Sequence, residues 1–133
     1  MIRKRHPHLP MIVIVVCGGL GVFACQSQLG AIDTDLSPIE FFQRAQEASD
    51  AGDYSRAVEY YQVFQEKYPE IIDRNLWSSY EIAFLYHKLG QDDRALQLFE
   101  KLLERYSQSD SQALPQGPRI LAEKVKVLIE NEE

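Results

Sequence analysis

Cysteine is scarce in this chain of 133 residues. There are two, Cys17 and Cys25, both near the amino end, so no disulfide framework staples the rest of the chain and its stability must come from packing. Histidine is as sparse: His6, His8 and His87 offer no metal-ligand spacing, and a lone helical histidine is a weak catalytic signal. No nucleophile motif and no phosphate-cradling glycine loop occurs. Carboxylates are plentiful, but none stands in an apolar context that marks a raised pKa. The residues therefore argue against an enzyme and call for no cofactor. Positive charge is also short, with 14 Lys and Arg against 20 Asp and Glu, a net charge of −6. Such a surface repels phosphate backbones, which excludes a nucleic-acid groove. Only one long hydrophobic run exists, the 14 residues Met11 to Ala24, too short to span a bilayer comfortably as a helix. What remains after it can hold one small domain.

That run has a telling context. Arg3, Lys4 and Arg5 precede it, no acidic residue falls before it, and Gly18, Gly19 and Gly21 lie within it, which is the layout of a secretory signal. An uncleaved anchor and an ordinary signal with an incidental cysteine fit the same layout. The run ends Val22-Phe23-Ala24-Cys25, and this resembles the lipobox of bacterial lipoproteins. Val22, Ala24 and Cys25 match that pattern, while Phe23 is bulkier than its usual small residue. The resemblance implies a signal peptide over 1–24 and a Cys25 carrying a diacylglyceryl thioether and an acylated amino group, palmitate being a typical chain. Several acyl chains, at ~0.8 kcal/mol per buried methylene, anchor firmly where one does not. His6, His8 and Cys17 leave with the signal, and the mature chain then sets 11 basic residues against 20 acidic ones, a charge of −9. Gln26 stands where many enterobacterial lipoproteins carry the Asp that retains them in the inner membrane. By the same resemblance this implies the periplasmic side of the outer membrane in a cell with two membranes. Residues 25–36 are the lipidated cysteine and a polar tether with Gly30, Asp33 and Asp35,.

The rest reads as helices. Ser37-Pro38-Ile39-Glu40 supplies a Ser cap, Pro at the first helical position and a Glu three residues after the Ser. Phe41, Phe42, Ala45 and Ala48 then form a stripe ending near Gly52. A second stripe runs through Ala57, Val58, Tyr61, Phe64 and Tyr68 to Pro69,. Leu76 to Leu89 is apolar on more than one side and predicts a helix covered from two directions. Gly90 suits the left-handed position that ends it, and Asp92 and Asp93 suit the next helix start. Ala95, Leu96, Phe99, Leu102, Leu103 and Tyr106 follow helical spacing. After a Ser-, Gln- and Pro-rich loop over 108–117, Pro118 opens a last helix with Leu121, Ala122, Val125, Leu128 and Ile129 on one face and an acidic tail,.

Ala51-Gly52-Asp53-Tyr54-Ser55-Arg56-Ala57 aligns with Leu89-Gly90-Gln91-Asp92-Asp93-Arg94-Ala95, with an aromatic four residues beyond each alanine, Tyr61 and Phe99. Here the chain resembles the tetratricopeptide repeat, a 34-residue helix hairpin. Ala45, Ala83, Ala57 and Ala95 occupy its close-approach positions, and Pro69 its terminal proline. Ser107 replaces the second proline. The glycines are 38 residues apart, so about one extra helical turn enters near 70–75. The expected fold is all-α: two such antiparallel hairpins over 37–107, an α-solenoid fragment, with residues 118–133 as a capping helix and tail.

The resemblance implies binding of a peptide or protein along the first helix of each hairpin. Its groove positions fall on Ile39, Phe42, Gln46, Ser49 and Asp50, and on Trp77, Tyr80, Phe84, His87 and Lys88. The aromatic row Trp77, Tyr80 and Phe84 is the natural anchor, since such side chains supply much interface energy; the last helix filling the groove instead is an equal alternative. As a whole the chain is similar to tetratricopeptide-type outer-membrane lipoproteins, including one of the outer-membrane barrel-assembly machinery. The expectation is a membrane-anchored, non-enzymatic adaptor for another envelope protein or peptide, or an accessory subunit of an outer-membrane assembly complex. The alternative is a structural lipoprotein that associates with itself as a homo-oligomer.

Overall fold

The computed structural model describes residues 31–108 and 113–132. The signal segment, Cys25 and residues 26–30 of the tether lie outside the described residues, as do residues 109–112 of the loop. Five helices make up the fold among the described residues: α1 (Pro38–Asp50), α2 (Tyr54–Lys67), α3 (Ile72–Lys88), α4 (Asp92–Gln108) and α5 (Gln116–Glu132). Among the described residues there is no strand. Neighbours in sequence pack together, α1 on α2, α2 on α3 and α3 on α4, while α5 lies on both α3 and α4.

Local chemistry sets the helix ends. Ser37 N donates to the Glu40 carboxylate at 2.8 Å and Glu40 N to Ser37 Oγ at 3.4 Å, closing the expected capping box,. The Ser37 hydroxyl also donates to the Glu40 carboxylate at 2.6 Å, and this bond, with the one from Ser37 N, holds that carboxyl below its ordinary pKa. Asp53 caps α2 by accepting from Arg56 N at 3.1 Å. Gly52 and Gly90 stand at φ +79° and +71°, the left-handed conformation that lets α1 and α3 end and the chain reverse.

The extra turn between the repeats belongs to α3, which starts at Ile72 rather than near Leu76. No side chain caps that start. Instead Asn75 Nδ2 donates to Tyr68 O at 2.7 Å and to Ile71 O at 2.9 Å, tying the first turn of α3 to the end of α2. Gln65 on α2 reaches Ser78 Oγ at 2.8 Å and Ser79 Oγ at 2.9 Å, so a polar seam satisfies the buried Asn75 and Ser78,. Apolar periodicity does not reveal such a seam.

The paired alanines Ala45, Ala57, Ala83 and Ala95 are all fully buried, where a small side chain lets helices approach. Around them Tyr61, Leu76, Phe99 and Leu102 fill one continuous core,. The last helix starts two residues before Pro118, which sits in its first turn, where a missing amide hydrogen removes no intrahelical bond,. Ala122 and Ile129 are buried, whereas Leu128 is 60% exposed. Leu128 lies at the rim of the stripe and so departs from the predicted buried face. Tyr106 Oη donates to Pro115 O at 2.7 Å and Lys126 Nζ meets Glu100 Oε1 at 3.0 Å, fastening α5 across α4.

Candidate functional site

A groove of about 560 Å³ runs between α1 and α3, lined by Ile39, Phe42, Gln43 and Gln46 from α1, Tyr61 from α2, and Arg74, Trp77 and Glu81 from α3. Its walls follow from helix geometry. Ile39, Phe42 and Gln46 are spaced i, i+3, i+7, and so are Arg74, Trp77 and Glu81, which puts each trio on one helix face. Ile39 is 66% exposed at the rim. Phe42 is half-buried and meets Tyr61 and Phe64 edge-on, with ring centroids 5.2 and 4.9 Å away. The Arg74 guanidinium sits 5.1 Å from the centre of the Phe42 ring, a cation–π contact that leaves the charge at the groove.

Trp77 stands where α5 begins. A side chain on Gly117 would come within 2.6 Å of Trp77 Cζ2, so only glycine lets α5 settle against the benzo edge of the indole. The helix therefore covers one edge of Trp77, packing on α3 and α4 rather than filling the α1–α3 groove. The remaining part of the indole lines that groove.

Six of the expected groove residues, two of the three aromatic anchors among them, are placed elsewhere. Tyr80 is only 8% exposed, with Phe99 of α4 6.0 Å away and Phe84 stacked at 6.1 Å. It belongs to the packing between α3 and α4, because α4 covers the side of α3 that it occupies. Phe84, half-buried, stacks on Tyr80 and stands 6.3 Å from the His87 ring. His87 Nδ1 lies 2.6 Å from Asp92 Oδ1 and closes the turn between α3 and α4. Lys88 rests 5.8 Å from the centre of the Tyr54 ring, Ser49 is half-buried, and Asp50 accepts from Gln46 Nε2 at 3.0 Å. The groove thus unites Ile39, Phe42, Gln46 and Trp77, without Tyr80, Phe84, His87, Ser49, Asp50 or Lys88 in its lining.

Glu81 corrects a further expectation. Burial pushes its carboxyl above the ordinary range, so one carboxylate does stand in an apolar setting. Burial also raises Tyr61 and Tyr80, with the Glu81 charge adding to both. Glu81, Arg74 and Gln43 were legible only through their spacing: Glu81 is four residues past Trp77, with Tyr80 and Ile82 beside it. A second hollow, of about 330 Å³, lies among Gln62, Gln65, Ser79, Leu98 and Arg105 on α2, α3 and α4. No group of three His, Cys, Asp or Glu among the described residues is placed to hold a metal ion. No helix among them is long and apolar enough to cross a membrane.

Comparison with known proteins agrees with this geometry. The family model described as tetratricopeptide repeat matches residues 41–70 and 77–109, the spans of the two hairpins. The chain is similar to the outer membrane protein assembly factor BamD of Neisseria meningitidis, 27% identical over 103 residues, which cover 73% of this chain. It spans 38% of that relative's length. No solved structure matches. Matching helices, buried alanine pairs and left-handed glycines in both units give α1 to α4 the fold of two tetratricopeptide-like hairpins, an all-α solenoid fragment closed on one side by α5.

Proposed function

We propose that this protein is a lipid-anchored adaptor of the bacterial envelope, which holds a partner protein or an extended peptide in the α1–α3 groove and performs no chemistry of its own. The observation that carries the reading is the groove itself. Ile39, Phe42 and Trp77 present apolar surface beside the polar ends of Gln43, Gln46 and Arg74, an apolar centre with a polar rim of the kind that binds protein segments. Cys25 supplies the membrane attachment, through the lipobox-like Val22-Phe23-Ala24-Cys25. The likeness to an assembly factor named for the outer membrane favours that membrane and a role beside an assembly complex.

The test uses the full chain in cells. A photo-crosslinking residue in place of Ile39, which is largely exposed, should give a discrete adduct, while one in place of Gln62 on the exposed side of α2 should not. No adduct from Ile39, or the same adducts from both positions, rejects the groove as the binding surface. Cys25→Ala should release the protein from the membrane fraction and abolish palmitate labelling; continued labelling rejects the anchor. Adducts made only of two copies of the chain would favour the self-associating lipoprotein instead.

A further inference from the structure

Among the described residues, one charged group inside the groove has no counterpart. Glu81 is half-buried in the groove lining beside Trp77, and among the described residues no hydrogen bond or ion pair engages its carboxylate. Nearby carboxylates are matched: Glu47 pairs with Arg44 at 3.0 Å and Asp50 with Gln46 at 3.0 Å. Arg74, the cation in the same lining, is two helical turns away along α3, about 10 Å at 1.5 Å per residue. It is engaged with the Phe42 ring instead.

We propose that the groove recognises a single lysine or arginine side chain of the partner segment, seated on the Glu81 carboxylate between Trp77 and Tyr61, with a flanking apolar residue on Ile39 and Phe42. This rests on the groove being the binding surface and names what it selects. Three observations support it. A carboxylate partly withdrawn from water gains more from an incoming cation than a solvated one does, because the surroundings screen the pair less; burial already raises its pKa. The Trp77 and Tyr61 rings line the same groove, and rings attract cations. The mature chain's charge of −9 draws a basic segment toward the domain,. Arg74 at the other end of the groove repels a second positive charge, so the occupant carries one basic residue among apolar neighbours rather than a polybasic run. It also favours an acidic group about three extended residues from the basic one, which fixes the direction of the segment.

The experiment builds on the Ile39 photo-crosslink in the full chain. Glu81→Gln removes the charge and keeps the shape; adduct yield should fall about tenfold or more, the scale of a charge-assisted hydrogen bond. Glu81→Asp should retain part of the yield, and Glu81→Lys should abolish the adduct. Mass spectrometry of the adduct should find a lysine or arginine within three residues of the linked position. A synthetic peptide of that segment should bind the wild-type chain more weakly as salt rises, and its binding to Glu81→Gln should vary little with salt. If wild-type and Glu81→Lys chains give equal adducts, charge recognition is overturned while the groove stands; if Ile39 gives none, the groove itself fails. Thermal unfolding guards against a folding artefact, since Glu81→Gln should melt no lower than wild type.

Discussion

In α1 only Phe41 and Ala45 are buried, whereas α3, which holds the same place in the next repeat, buries eight residues from Asn75 to Tyr86. The difference lies in the neighbours. α3 has α2, α4 and α5 against it, while the chief support of α1 is α2. One repeat pattern therefore yields a structural centre in one unit and an open wall in the other. It also explains why Tyr80 is core while Phe42, also on the first helix of its hairpin, faces the groove.

The largest effect should come from removing a ring at the centre. Phe99→Ala, a fully buried side chain, should cost about 3–5 kcal/mol in urea unfolding, while Ile39→Ser on the open wall should change stability by less than about 0.5 kcal/mol. Equal costs would break the contrast between the two hairpins. Next, Gly117→Ala forces a methyl into the Trp77 ring and should cost about 1–3 kcal/mol. Gly52→Ala meets no neighbour and should lose only the left-handed backbone preference, about 1 kcal/mol. Asn75→Ala removes the two bonds that tie α3 to the end of α2 and should cost roughly 1 kcal/mol; an unchanged urea midpoint would show that the seam is dispensable.

The smallest effects are those of pH. Glu40 has a depressed pKa, so its stabilising contribution is present above its ordinary value of 4.5 and disappears as pH falls through the lower folded value,. Glu81 has the opposite sign: with its pKa raised by burial, the free domain loses stability as pH climbs above 4.5 through the folded value,. Thermal melts of Glu81→Gln should lack that second loss and lie higher than wild type at neutral pH. A lower melt would mean that the Glu81 charge has a partner in the free protein.

Most of the architecture was legible in the sequence because it depends on local signals: the Ser37 cap, the left-handed Gly52 and Gly90, and the alanine pairs at matching positions. The binding surface was only half legible. Trp77, Tyr80 and Phe84 share helical spacing, but which of them faces the groove depends on where α4 and α5 lie, and no periodicity within α3 encodes that. Leu128 left its predicted face for the same reason, being an edge residue whose cover depends on a neighbouring helix. Gly117 shows the converse, since a glycine in a loop-like stretch is the one residue small enough for the contact with Trp77.

Trp77 is the chain's sole tryptophan, and it touches the closing helix on one edge and the groove on the other. Its indole emission is consequently a built-in optical reporter. Detachment of α5 exposes the benzo edge to water and shifts the spectrum to the red, whereas an apolar guest in the groove shifts it to the blue, so the unlabelled protein signals both events in opposite colours.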